Sequence, residues 1–208
     1  MNAADITPCV RLIRRAMDDD EARQARQTFR FHFACRRHGL DDGRAYYVLD
    51  ADATICGLAG LHHYHWGPPE NVWLAWFAVD PARQGRGLGT LLLEAMTHEA
   101  RRRGYTKFFV ETYSTPQFAR ARAFYRAHGF IQAGRVRSYL AADAGDMIVF
   151  FKILSQALHV QQSQESRGFH PFLAGPAGVA GDRQLAQQCG HAAHGGRAAS
   201  GRELGDSF

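Results

Sequence analysis

The sequence predicts an α/β fold in which strands and helices interleave in the order strand, helix, strands, helix, strand, helix, strands. Three observations predict it. Short apolar or alternating runs of strand length recur at residues 45–49, 55–64, 72–79 and 107–113. Stretches with apolar residues three and four apart separate them, over residues 18–37, 88–103 and 118–128. Glycines and prolines stand at the junctions, where they punctuate rather than interrupt the patterns.

Taken in order, residues 10–16 alternate like a strand. Asp18, Asp19, Asp20 and Glu21 then place carboxylates where a helix start favours negative charge. A helix to Arg37 follows, with Ala22, Ala25, Phe29 and Phe33 on one side and Gly39 as its stop. Residues 45–49 and 55–64 read as a hairpin around the polar turn at 50–54, and Gly67-Pro68-Pro69 ends its second arm. The nearly continuous apolar run 72–79 predicts a strand buried on both faces, closed by Asp80-Pro81. A glycine turn opens the next helix, where Leu88, Leu91, Leu92 and Ala95 share a face. Arg101, Arg102 and Arg103 before Gly104 are the cations expected at a helix C-terminus. Residues 107–113 form a strand. The helix at 118–128 presents Ala121, Phe124, Tyr125 and His128 on one face and is capped by Gly129. Residues 135–140 and 146–154 read as a closing hairpin. From Ser155 onward Gln, Gly, Ala, His and Arg prevail without periodicity, so the expected organisation is a folded domain over 1–154 and a low-complexity, disordered tail over 155–208.

Composition narrows the function classes. The 208 residues are 46% hydrophobic, enough for one core. No apolar run approaches the roughly 20 residues that span a bilayer, and residues 1–5 lack the features of a signal peptide, so the expected location is the cytoplasm, without membrane partners. Cys9, Cys35, Cys56 and Cys189 have neither metal-ligand nor disulfide-scaffold spacing, and His191 with His194 lacks a partner set, so no metal is expected. The net charge of +5 is scattered over arginines rather than gathered on one face, which disfavours nucleic acid as a partner.

The most informative stretch is Gln84-Gly85-Arg86-Gly87-Leu88-Gly89, a glycine turn at a helix start. Backbone N–H groups converging at the positive end of a helix dipole make a cradle for phosphate. No lysine precedes Thr90, which excludes a P-loop, and Gly85, Gly87 and Gly89 are out of register for a dinucleotide fingerprint. The residues fit Gln84-x-x-Gly87-x-Gly89, followed at a distance by Ala121-x-x-Phe124-Tyr125-x-x-x-Gly129-Phe130. Both segments resemble the signatures of the GNAT superfamily of acyl-CoA-dependent N-acyltransferases, over residues 10–154.

The resemblance implies a mixed, mostly antiparallel central sheet of about six to seven strands flanked by helices, with central strands that splay to hold acyl-CoA. It implies acetyl-CoA as co-substrate, its pyrophosphate on the backbone of Gln84, Gly85, Arg86, Gly87, Leu88, Gly89 and Thr90, with Arg83 and Arg86 nearby. The pantetheine arm then pairs like an added strand with Phe77, Ala78 and Val79. Ala121 and Phe124 belong to the same cofactor wall. Phe118 stands where many relatives carry an asparagine for that arm, so Ser114 or Gln117 is the substitute.

For chemistry, the resemblance makes Tyr125 the general acid for the departing thiolate and the Val79 N–H a donor to the thioester carbonyl. Strand 72–79 has no carboxylate, unlike many relatives. The open candidates for the base are Glu111, by its alternation with Phe109 and Tyr113, and the set His62, His63 and His65, of which His63 and His65 share one face; a water chain is a third route. The acceptor expected first is a small-molecule primary amine and second a protein amine, with residues 26–44, 62–66 and Tyr139 setting specificity. Homodimers are common among relatives. The alternative function is a non-catalytic acyl-CoA-binding regulatory module.

Overall fold

The computed structural model describes residues 1–51, 53–140 and 145–154. The expected tail over 155–208 lies outside these residues. The chain forms helices α1 (Ile6–Ala16) and α2 (Asp19–Arg37), strands β1 (Arg44–Ala51), β2 (Thr54–His62) and β3 (Asn71–Val79), helix α3 (Leu88–Arg102), strand β4 (Lys107–Tyr113), helix α4 (Ala119–Ala127), and strands β5 (Ile131–Val136) and β6 (Met147–Ile153). The six strands form one sheet in the order β1-β2-β3-β4-β6-β5, antiparallel except for the parallel pair β3 and β4. This is the mixed, mostly antiparallel sheet that the resemblance implied.

Helices cover the sheet on both faces, and each covered face has its own core. On one side Cys9, Leu12 and Ile13 of α1 and Ala22, Ala25 and Phe29 of α2 pack on Tyr46, Leu58 and Ala78. On the other, Leu92, Leu93, Met96 and Ala100 of α3 and Tyr125 of α4 pack on Ala59, Val72, Phe108, Val110 and Phe150. Each fully buried phenylalanine or leucine here is worth about 1.5–3 kcal/mol of burial. Cys9 and Cys56 are buried and in no disulfide, the Cys56 thiol donating to the Leu49 carbonyl at 3.4 Å, and burial pushes Cys9 up to about 12.

Four local readings are corrected. Residues 10–16 are the second half of α1, not a strand: Cys9, Val10, Leu12 and Ile13 are its buried residues, and that spacing winds onto one helical face. A short run such as Val10-x-Leu12 fits both periods, and Pro8, in the first turn, does not obstruct a helix there. In α3 the buried face is Leu92, Leu93, Met96, Thr97 and Ala100, whereas Leu91 is 51% exposed. The leucines at 88, 91, 92 and 93 offer two stripes, and docking on β2 selects one: Leu92 sits so close to Gly57 that a Cβ there would meet it at 2.7 Å. The last hairpin pairs residues 131–136 with 147–151, so its first arm starts earlier than the β-propensity of 135–140 implies; β5 is an exposed edge strand with a register shift at Gln132/Gly134. Finally, β3 is not buried on both faces along its length, since Trp73 through Phe77 are only half-buried. The reason is that they line a cleft.

At the start of α2 the side chain of Asp18 accepts the Glu21 N–H, and Asp19, Asp20 and Glu21 occupy the first turn, as the acidic run predicts.

Candidate functional site

The cleft exists because β3 and β4 pair only over Asn71–Trp73 and Lys107–Phe109. Beyond these residues the strands part, and a cleft of 790 Å³ occupies the opening. The splaying coincides with a backbone irregularity. Trp76 has φ +34, a region costly for an aromatic residue, and the β2–β3 register shifts between Leu58 and Gly60. Ala75, Trp76, Phe77, Ala78 and Val79 all line the cleft, so the segment expected to bear a pantetheine arm does border open space.

At one end of the cleft lies the glycine turn. Gly87 is the N-cap of α3 with φ +80, Gly85 has φ +76, and a Cβ at either would meet nothing within 4 Å. No side chain caps α3, and the first helical bond in this turn is Leu91 N–H to the Gly87 carbonyl at 3.0 Å. The N–H groups at the start of a 15-residue helix are thus left to whatever occupies the turn. The turn is tied in place by Gln84, whose Nε2 donates to the Val79 carbonyl at 3.1 Å. At Thr90, Oγ1 lies 3.0 Å from His128 Nε2, and His128 Nδ1 lies 2.8 Å from the Phe124 carbonyl. A carbonyl only accepts, so Nδ1 carries a proton and, in the neutral ring, Nε2 accepts from Thr90. This chain locks the start of α3 to the end of α4. Phe124 stacks on Phe77 at 5.8 Å and closes against Gly89, where a Cβ would lie 3.6 Å from its ring.

The structure brings most of the expected site residues together. Phe77, Ala78, Val79, Gln84, Gly85, Gly87, Gly89, Thr90, Gln117, Ala121, Phe124, Tyr125 and Glu111 all border the cleft. Arg83, Arg86, Leu88 and Ser114 do not line it. Leu88 packs partly into the α3 core, Arg86 is exposed beside the turn, and Ser114 Oγ accepts the Asp146 N–H at 2.9 Å, which fixes the approach to β6. Arg120, which sequence reasoning did not single out, lines the cleft as a further cation.

Tyr125 is both core and cleft residue. It is only 6% exposed, sits among Phe77, Phe130 and Phe150, and borders the opening. Burial alone pushes its phenol well above the ordinary value, so it stays protonated across the physiological range and is available as a donor. Glu111 lines the cleft from β4, where Tyr113 Oη donates to its Oε1 at 3.3 Å. Its charge raises Tyr64 to about 12 and Tyr139 to about 12, in each case after burial.

Of the three catalytic candidates Tyr125, Glu111 and His63, His63 alone does not line the cleft. It points away from the cleft, with Nδ1 3.0 Å from the Asn71 carbonyl and its ring tilted against Tyr105, so it is not placed to receive an amine proton. Its candidacy as base is corrected: His63 lies just past the end of β2, and it is His62, the last residue of that strand, that borders the cleft. His65 is held by the Asp41 carbonyl at 3.1 Å. His62 is a poor base for a different reason: burial first, then the Arg44 charge, push it down to about 3. An unfolded histidine titrates near 6.5, so folding excludes a proton that the unfolded chain takes up. The stability this provides is complete above about pH 6.5 and is lost toward pH 3, at up to about 1.4 kcal/mol per pH unit. Denaturant melts between pH 7 and pH 4 are expected to show that slope, and His62→Gln to flatten it; an unchanged slope contradicts the assignment.

The aromatic residues divide cleanly. Tyr46, Tyr64, Trp73 and Trp76 line the cleft, whereas Phe29 is fully buried in the core and Trp66 is 68% exposed. Tyr47 faces the other side of the sheet and donates to Glu99 at 2.8 Å.

These features, a glycine cradle at a helix start beside parted parallel strands, coincide with a family match. The profile of the Acetyltransferase (GNAT) family matches residues 9–130. The chain belongs to the GNAT acetyltransferase family. This GNAT domain is 36% identical over 80 residues to an amino-acid acetyltransferase of Mannheimia succiniciproducens, covering 38% of the present chain but only 18% of that relative's length. Among solved structures, it superposes with a TM-score of 0.67 and 24% identity on a GNAT-family protein from Desulfovibrio desulfuricans, covering 74% of this chain and 95% of that one. It superposes at 0.58 and 22% identity on the ribosomal-protein-S18-alanine N-acetyltransferase of Escherichia coli, covering 78% and 96%. A third, from Salmonella typhimurium, was solved with its cofactor acetyl-CoA and superposes at 0.59 with 18% identity, covering 81% and 95%. These likenesses establish the fold.

The GNAT cleft fits such a cofactor on its own geometry. The uncapped α3 N-terminus offers N–H donors to phosphate, and the unpaired side of β3 offers main-chain groups to an amide-bearing arm. Two further facts frame the site. Among the described residues no group of three or more His, Cys, Asp and Glu could hold a metal ion, and no helix is long and apolar enough to cross a membrane.

Proposed function

We propose that this GNAT domain transfers an acetyl group from acetyl-CoA to a primary amine by direct attack within a ternary complex. The observation that carries the reading is that Tyr125 and Glu111 border one cleft, at the place where β3 and β4 part beside the glycine turn. Acetyl-CoA supplies an activated acyl group as a thioester. Arg86 and the N–H groups of Gly87, Leu88, Gly89 and Thr90 bind its pyrophosphate. Phe77, Ala78 and Val79 align the arm, and the Val79 N–H faces the acyl oxygen. Glu111 takes the proton of the acceptor amine on its carboxylate, directly or through water. Tyr125 gives its Oη proton to the departing sulfur, a role suited to a phenol kept neutral by burial.

A small-molecule amine is the acceptor proposed first and a protein amine second; a relative named for amino acids and a fold neighbour named for a ribosomal-protein alanine exemplify the two classes. The test is release of CoA thiol when the purified chain meets acetyl-CoA and a panel of primary amines. Tight acetyl-CoA binding without turnover of any amine would instead favour the non-catalytic binding module.

Binding has its own prediction. At φ +80, Gly87→Val forces a β-branched side chain into the left-handed region at the N-cap, at a cost of at least about 1–2 kcal/mol. Acetyl-CoA affinity by calorimetry is expected to fall about tenfold or more, and unchanged affinity would remove the turn from the cofactor site.

A further inference from the structure

We propose that the acceptor is a free amino acid, its carboxylate held by Arg44 and Tyr46 while its amine faces Glu111. This rests on the acyl-transfer reading above and adds to it the class of substrate. Arg44 lines the cleft although its side chain is only 4% exposed. Its Nη1 donates to Asp42 Oδ2 at 3.3 Å, the long end of the range for a charged pair. Asp42 is committed elsewhere as well: Oδ1 is 2.8 Å from His32 Nδ1 and accepts the Arg44 main-chain N–H at 3.2 Å. Asp42 thus orients the guanidinium and leaves most of its five N–H donors for another oxygen.

The second donor lies two residues along β1, on the same face of the sheet. Tyr46 is 5% exposed and borders the cleft, yet its buried hydroxyl has no hydrogen-bond partner among the described residues. Its ring is fixed edge-on by Phe29 at 4.9 Å and by His32 at 5.1 Å. A buried phenol left unpaired is costly, and one placed beside a cation is a donor awaiting an anion. His62, opposite Arg44 in the β1–β2 register, is neutral and adds no competing charge.

The cleft is also bipolar. Arg44 lines it together with the carboxylates of Glu21 and Glu111. Opposite charges lining one cleft match a zwitterion. A guanidinium receives a carboxylate through two parallel bonds, and the Tyr46 hydroxyl adds a third. Polyamines lack the anion, and a peptide N-terminus carries its carboxylate too far away. Tyr64, Trp73 and Trp76 supply apolar walls, which suit an aliphatic or aromatic side chain.

The experiment follows CoA release by the full chain with acetyl-CoA and two matched trios: leucine, leucinamide and 3-methylbutylamine; phenylalanine, phenylalaninamide and phenethylamine. A peptide with an N-terminal leucine completes the panel. The acids are expected to show kcat/KM about tenfold or more above their amides and amines, through KM. Arg44→Gln and Tyr46→Phe are each expected to shrink the acid-to-amide ratio about tenfold, and Arg44→Lys to keep part of it. Tyr46→Phe preserves the packed ring, so it decides the matter if Arg44→Gln does not fold. Amides or amines turning over as well as the acids, or ratios unchanged in Tyr46→Phe, overturn the anchor while acyl transfer stands. Turnover of the peptide alone does the same, and turnover of nothing overturns acyl transfer and the anchor together.

Discussion

Tyr125→Phe is expected to lower kcat by about 10²- to 10⁴-fold, the range attached to a positioned general acid, while acetyl-CoA binding by calorimetry stays within about twofold. The variant removes one oxygen and keeps the ring among Phe77, Phe130 and Phe150, so the core of α4 on the sheet is preserved. The two roles of Tyr125 are thereby separated. If the hydroxyl serves only packing, the melting temperature moves and kcat does not. If it protonates the leaving sulfur, kcat collapses at unchanged stability.

Glu111→Gln carries the second large effect. It is expected to cost about 10²- to 10⁴-fold in kcat at saturating amine, with Glu111→Asp recovering part of the loss. The substitution is nearly isosteric and keeps an oxygen for the Tyr113 hydroxyl, which donates to Glu111 at 3.3 Å. What it removes is the capacity to hold the amine proton. Retention of full kcat would transfer that role to a water chain, because His63 faces Tyr105 and His62 is held near pKa 3.

Much of this was legible in the chain, for physical reasons that differ by element. The glycine turn was readable because Gly87 must adopt φ +80 to cap α3, and few residues other than glycine tolerate that. Residues 107–113 were readable because a strand with one face on the core alternates strictly, with Phe108, Val110 and Thr112 buried. The segment at 10–16 is ambiguous in sequence because its four apolar residues fit either period until Asn2 and Asp5 are seen to start a helical turn before them. The exposed edge strand β5 carries little patterning, since burial does not constrain it. In the site, Glu111 is legible by alternation and Arg44 falls within the 26–44 stretch expected to set specificity, but the pairing of Arg44 with the Tyr46 hydroxyl is not legible, because it depends on which polar groups the fold leaves without partners. Only the fold shows that Asp42 is shared with His32 and that a neighbouring phenol is unpartnered. The parting of β3 and β4 is a tertiary property, written in no single segment and expected only through the family resemblance.

The most direct measurement of the central claim is CoA thiol release by the purified chain in acetyl-CoA, with and without a panel of primary amines spanning amino acids, simple alkylamines and peptide N-termini. The account predicts amine-dependent release with stoichiometric N-acetyl product by mass spectrometry, slowed about 10²- to 10⁴-fold in Tyr125→Phe. Binding of acetyl-CoA with no amine-dependent release, or turnover indifferent to the loss of the Tyr125 hydroxyl, would contradict it.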